Sequence, residues 1–223
     1  MTLEEAIAKI KPLDHNAMEI AQKRWDSIAK PLHSLGKLET LLIQIAGITG
    51  NAEVNLSRRG LIVMCADNGV VEEGVTQTGQ EVTAIVAENF LKYDTSVGVM
   101  CKQNHAEIFP VDMGMVTDTK VRTDHKIAYG TQNMTKGPAM TREQAVKGLE
   151  AGIDMVRELN DKGYRILATG EMGIGNTTTS SAVASVLLKQ PVEEMTGRGA
   201  GLTSEGLVRK INAIKKAIAL NEP

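Results

Sequence analysis

The stretch Gly170-Glu171-Met172-Gly173-Ile174-Gly175-Asn176-Thr177-Thr178 places one carboxylate among three glycines and runs out in amide and hydroxyl side chains. It follows the apolar run Ile166-Leu167-Ala168 and precedes a helix-like run from Ala182 to Leu188. Strand, glycine turn and helix is how an α/β protein presents backbone N–H groups to a phosphate or another anion. Glu171 inside that turn adds a group able to move a proton beside the bound anion. A second loop, Thr196-Gly197-Arg198-Gly199-Ala200-Gly201, stands before a helix that Thr203 or Ser204 can cap. It too offers several N–H donors and a helix N-terminus, suited to a monophosphate. A plain flexible connector with an exposed arginine is the weaker reading once two such loops share one domain. Lys210, one helical face further on, could add positive charge, although a lone lysine on a surface helix is usually solvated.

Two further strand ends carry the same punctuation, Ala66-Asp67-Asn68-Gly69 and Val111-Asp112-Met113-Gly114. Ligands of open parallel sheets bind beyond the carboxyl ends of the strands, so Asp67, Asp112 and Glu171 are expected to face one crevice. For Asp112 an Asx turn or helix cap is the better reading. For Asp67 the structural and the functional readings stand level, and for Glu171, between glycines, function is favoured. Gly170 to Thr177 has Walker A spacing, but Asn176 occupies the place of the phosphate-reaching lysine, which argues against an ATPase. A dinucleotide fingerprint fails as well, because Thr178 stands where a third small residue would let helix and strand pack closely. The histidines His15, His33, His105 and His125 have no partners at metal-ligand or triad spacing, so no metal is expected.

These loops need elements to hold them. Asp14 is placed to cap a helix over residues 15–29, and Leu38, Leu41, Leu42 and Ile45 share one face of another over 36–47. Leu61 to Ala66 is a continuous apolar run, the pattern of a strand covered on both faces. A helix over 81–104 and a strand over Glu107–Met113 follow, with Pro110 marking a sheet edge or bulge. The polar segment 117–138 is expected to be a long excursion with at most a short strand near Lys126–Tyr129. A strong helix runs from Thr141 to Gly163, and a third strand covers Arg165–Thr169. The last helix sets Leu207, Ile211, Ile214 and Ile218 on one face. Repeating strand–helix units predict an α/β fold: a Rossmann-like, mostly parallel sheet flanked by helices, with a small helical N-terminal subdomain over 1–55 and an α/β core over 56–223. The sequence stops after a helix, at Asn221-Glu222-Pro223, where another strand is expected, so the core reads as incomplete at that end.

Composition sets outer limits. With 223 residues, one well-cored α/β domain is possible and two large ones are not. A net charge of −2 gives no reason to expect nucleic acid or an acidic membrane as partner. Aromatic residues make up only 3%, so eleven methionines help fill the core. Cys65 and Cys101 sit in apolar surroundings without metal or disulfide spacing, and residues 1–13 lack a signal peptide's apolar region. A cytoplasmic protein is expected.

Five motifs occur together and in order: Lys30-Pro31-Leu32-His33-Ser34-Leu35-Gly36-Lys37-Leu38-Glu39, Met64 to Val75, Val111 to Gly114, Gly170 to Thr178, and Thr196 to Leu202. Across nearly the whole chain they resemble the nicotinate-nucleotide:dimethylbenzimidazole phosphoribosyltransferases of cobalamin biosynthesis. The resemblance implies transfer of 5-phosphoribose from nicotinate mononucleotide to 5,6-dimethylbenzimidazole or a related base, without metal or redox cofactor, by a homodimer. It assigns Gly173, Gly199, Gly201 and Lys210 to the donor phosphate, within a cradle that also takes in Gly175, Asn176, Thr177 and Gly197. Glu171 becomes an active-site carboxylate, and Asp67, Thr78 and Val86 line the acceptor pocket. Thr78 and Val86 stand where the family often has Ser and Gln, Asn68 where His is common, and Leu32-His33 where Pro-Gly is usual. The family's principal base is a glutamate in a Gly-Glu-Gly-like segment beyond residue 223, so the chain alone is expected to turn over poorly. A nucleotide-binding module without that base is the alternative.

Overall fold

The computed structural model describes all 223 residues, in two units, Met1–Arg58 and Arg59–Pro223. The first unit contains α1 (Leu3–Ala8), α2 (His15–Ser27) and α3 (Lys37–Thr49). Thr2 and Glu5 form a reciprocal capping box on α1, and Asp14 caps α2 by accepting the Ala17 N–H at 2.9 Å. Ala17, Ala21 and Ala46 form its buried core, with Ile43, Ala52 and Val54 against them. The connection before α3 is pinned by Glu39, which is buried, pairs with Lys30 at 2.9 Å and accepts the Leu35 N–H.

The second unit is built on three parallel strands, β1 (Arg59–Ala66), β2 (Ala106–Gly114) and β3 (Ile166–Met172), in the order β2-β1-β3. Between β1 and β2 lie a 3-10 turn (Gly69–Glu73), α4 (Glu81–Lys92) and α5 (Ser96–Gln103). Leu61, Val63 and Cys65 point from β1 into a core shared with Ala84, Ala87 and Phe90 of α4 and Cys101 of α5. Ile62 and Val111 point to the opposite face, where Met155 and Leu159 of α6 (Arg142–Asp161) cover them. That two-sided cover is why β1 reads as an unbroken apolar run. Beyond the sheet, α7 (Asn176–Leu188), α8 (Val192–Met195) and α9 (Ser204–Asn221) enclose a third core of Val70, Val75, Ala182, Val192, Ala213, Ile214 and Ala217. No helix is long and apolar enough to cross a membrane.

Two local expectations are corrected and one is narrowed. The helix over 81–104 is two helices: Tyr93 ends α4 at φ 61°, and Thr95 starts α5 by accepting the Gly98 N–H at 2.9 Å. Gly98 packs so tightly on Tyr93 that a Cβ there would lie 2.6 Å from the Tyr93 carbonyl oxygen. No strand forms at Lys126–Tyr129; that segment is hung on β2 by Ile127 N–H to the Met113 carbonyl and Asp112 N–H to the Arg122 carbonyl. Finally, β3 runs to Met172, three residues beyond Thr169, so Gly170 and Glu171 belong to the strand and the turn proper begins at Gly173. Pro110 lies on β2, an edge strand, where a missing N–H costs the sheet least.

Asp112 is fully buried and makes an Asx-type turn: its Oδ1 accepts the Gly114 and Met115 N–H groups at 2.9 and 2.7 Å, while Lys126 Nζ lies 3.1 Å from Oδ2. Asp112→Ala strands two amides and removes one of the two carboxylates beside the largely enclosed Lys126 ammonium, a loss expected to be about 3 kcal/mol. Urea unfolding monitored by circular dichroism checks it; an unchanged midpoint contradicts this reading.

Candidate active site

The strand order reverses direction at β1, so the crevice beyond the carboxyl ends of β1 and β3 is the place a ligand would enter. Gly173 and Gly175 fill it closely. A Cβ on Gly173 would lie 2.2 Å from the Ala66 carbonyl oxygen, and one on Gly175 would lie 2.9 Å from Val71 Cγ2. Gly175, at φ 92°, is the N-cap of α7 and supplies no side-chain cap. Asn176 N–H bonds the Gly173 carbonyl and Thr178 N–H that of Gly175, which leaves the Gly175 and Thr177 amides without a partner in the chain. Free amides at the positive end of a helix are the physical requirement for holding an oxyanion.

The second loop meets the first. A cavity of ≈ 120 Å³ is lined by Gly173 to Thr177 on one side, Arg198, Gly199, Ala200 and Leu202 on another, and Val75 to Thr78 on a third. Gly199 at φ 58° and Gly201 at φ 108° adopt the left-handed backbone that glycine accepts without strain. A Cβ on Gly199 would lie 2.8 Å from Thr177 Oγ1 and 3.5 Å from Lys210 Nζ. Arg198 turns back on its own segment, donating to the Leu202 carbonyl and to Ser204 Oγ, so it braces the loop at the start of α9.

Lys210 is the unusual member. It is 1% exposed, and Nζ donates to Thr177 Oγ1 at 2.7 Å and to the Gly197 carbonyl at 3.1 Å, both neutral. Burial pushes its pKa below the usual lysine range. The surface-helix expectation for this residue is overturned: α9 turns Lys210 inward, towards the glycine loops.

Glu171 sits at the rim of the same turn, where a Cβ on Gly173 would come within 2.7 Å of its Oε1. Part of the residue is exposed, yet the carboxylate makes no ion pair and the surrounding protein desolvates it, lifting its pKa to about 7. Asp67 is placed elsewhere. It is fully buried, its Oδ2 accepts the Val116 N–H at 2.8 Å and its backbone bonds Gly114 and Thr131. The three strand-end carboxylates therefore do not all face one crevice: Asp67 and Asp112 are fully buried and accept backbone amides of the segment after β2, with Asp67 Oδ1 left without a partner, whereas Glu171 stays open. Thr78 lines the cavity, whereas Val86 packs against the core under α4. Gly197 and Gly201 contribute carbonyls, to Lys210 Nζ and to Gln77 Nε2.

Two residues that sequence reasoning misses are Gln77 and Thr83, whose Oγ1 accepts the Ile174 N–H at 3.0 Å. For Thr83 a signal existed, a hydroxyl among the apolar residues on the buried side of α4. A larger cavity of ≈ 350 Å³ between the ends of β1 and β2 and the start of α6 has mostly methionine, alanine and glycine walls, with Thr131, Gln132 and Gln144 as its polar side chains and no charged group.

Known proteins resemble this chain over almost its whole length. A family model described as phosphoribosyltransferase matches residues 10–223. Over 225 residues the chain is 51% identical to the nicotinate-nucleotide–dimethylbenzimidazole phosphoribosyltransferase of Ruminiclostridium cellulolyticum, covering 100% of this chain and 64% of that protein. The chain belongs to this family. The Clostridium acetobutylicum member is 49% identical with the same coverage. The crystal structure of CobT from Thermus thermophilus superposes with a TM-score of 0.84 at 37% identity, covering 92% of this chain and 62% of that one. The chain thus spans a little under two thirds of the length of these family members.

Glu171 provides a stability test whose sign is fixed. Its folded pKa, about 7, lies above the ordinary 4.5, so between these values the native state holds more protons than the unfolded state. Stability from this group therefore falls as pH rises through that window. Glu171→Gln is expected to gain stability relative to the parent at about pH 8 but not at about pH 5, read as urea midpoints. Equal differences at both pH values contradict the raised pKa.

Proposed function

We propose that this chain carries the phosphoribosyl-donor half of a nicotinate-nucleotide:dimethylbenzimidazole phosphoribosyltransferase site. The observation that carries the reading is the Lys210 ammonium, buried against neutral partners beside two glycine loops with free amides. Such a charge is unfavourable unless an anion completes its shell, and a phosphomonoester supplies one. Gly173, Gly175, Asn176, Thr177, Gly197, Gly199, Gly201 and Lys210 form the cradle in this proposal, and Thr78 faces the incoming base. The substrates are nicotinate mononucleotide and 5,6-dimethylbenzimidazole or a related base.

The chemistry follows from charge. The N-glycosidic bond breaks with its electron pair going to the nicotinate ring nitrogen, which is already cationic and so leaves without acid help. Positive charge builds at C1′, and a ring nitrogen of the incoming base attacks from the opposite face, giving the α-nucleotide. The base's N–H proton must then be taken up, and carboxylates poised near neutrality suit that task. Glu171 is the supporting carboxylate in this scheme. The resemblance extends the proposal to a cytoplasmic homodimer with no metal or redox cofactor.

Calorimetric titration of the chain with nicotinate mononucleotide is expected to show binding, and Lys210→Met to weaken it by at least about tenfold, the worth of one charge-assisted bond. Nicotinate riboside, without the phosphate, should respond little to that substitution. Because binding favours the charged ammonium, affinity for the nucleotide is expected to fall as pH rises through the depressed pKa of Lys210. Equal losses for both ligands contradict the placement of the phosphate.

A further inference from the structure

The Gly173–Gly175 turn is closed by one bond of its own, Asn176 N–H to the Gly173 carbonyl, which does not hold its middle peptide. Its middle peptide is held from outside. The Ile174 N–H donates to Thr83 Oγ1 at 3.0 Å, and the Ile174 carbonyl accepts from Asn68 Nδ2 at 3.1 Å. These groups come from different segments, the first turn of α4 and the link between β1 and the 3-10 turn. The two segments are also joined to each other, since Gln80 Nε2 donates to the Asn68 carbonyl at 3.0 Å. Thr179 Oγ1 reaches Asn68 Oδ1 at 3.4 Å, linking the clamp to the first turn of α7. Thr83 is 0% exposed, so its hydroxyl has no water to fall back on.

We infer that Asn68 and Thr83 are positioning residues for phosphate recognition: together they clamp the Ile174 peptide and hold the turn so that the Gly175 and Thr177 amides stay free for the anion. This rests on the proposed function and adds residues to it that touch no substrate themselves.

Both ends of the Ile174 peptide are satisfied by the clamp, so the peptide cannot rotate towards the cavity without leaving a buried hydroxyl and an amide unpaired. Rotation would also turn the neighbouring amides away from the helix N-terminus. The glycines make this necessary. Gly173 and Gly175 pack too tightly for any side chain, yet glycine costs the turn its rigidity, and rigidity must come from neighbours. Gln77 adds a parallel brace, since its Nε2 donates to the Gly201 carbonyl of the second loop. The segment from Gln77 to Thr83 thereby ties the two halves of the cradle to one another.

Thr83→Val keeps the shape and removes the acceptor, while Thr83→Ser keeps the hydroxyl. Titration with inorganic phosphate is expected to show about tenfold weaker binding for Thr83→Val and Asn68→Ala, and for Thr83→Ser a value within about twofold of the parent. Amide hydrogen exchange at Ile174 and Asn176 is expected to accelerate in Thr83→Val and not in Thr83→Ser. Phosphate affinity and exchange rates unchanged in Thr83→Val would overturn the inference. Should the parent chain bind no phosphate, the functional proposal falls, and the inference that rests on it falls as well. Asn68→Ala, at a half-buried position, serves where Thr83→Val does not fold.

Discussion

A lysine ammonium withdrawn from water with only a hydroxyl and a carbonyl for company is the arrangement on which the rest of this site depends. Desolvation of such a group costs several kcal/mol, and Thr177 and the Gly197 carbonyl recover only part of it. The fold accepts that cost because α9 must turn one face into the core formed with α7 and α8, and Lys210 shares that buried face with Ala213, Ile214 and Ala217. Packing drives the helix down, and the lysine goes with it. Its charge then has one direction left, towards the glycine loops, where free amides already concentrate positive potential. An anion at that point relieves both, which is why the loops and the lysine function as one unit.

The sheet determines where this unit forms. Because β1 lies between β2 and β3, the carboxyl ends of β1 and β3 face the switch point of the topology. Gly173 rests on the Ala66 carbonyl, so the turn after β3 is located by the end of β1 to within one van der Waals contact. Glu171, the penultimate residue of β3, is carried to the rim by the same geometry. Neither the Glu171 carboxylate nor the Lys210 ammonium is engaged in an ion pair. Here the strand fixes the one and the helix fixes the other, and each stays available to a ligand.

Much of this is legible in residue order. The two-sided strand, the Asp14 cap, the glycine loops and the family resemblance all rest on local patterns, and local patterns survive folding. Lys210 is misjudged from periodicity alone because a 3.6-residue period shows which face is apolar and not whether a neighbouring polar residue is also buried. Asp67 and Asp112 look like Glu171 in sequence, each an acid at a strand end. What separates them is the path of the 114–131 segment, which bends back over β2 and uses both acids to satisfy its own amides. The break between α4 and α5 is hidden because Tyr93 takes a left-handed conformation that favours glycine or asparagine. Gln77, Asn68 and Thr83 act across long sequence separations, so no local signal assigns their partners.

The most direct test of the central claim is a crystal structure of the chain grown with nicotinate mononucleotide. The account predicts the 5′-phosphate between the two glycine loops, within hydrogen-bond reach of Lys210 Nζ or Thr177 Oγ1 and of the Gly175 or Thr177 amide. A nucleotide whose phosphate lies outside that cavity, with Lys210 still bonded only to Thr177 and Gly197, would contradict it.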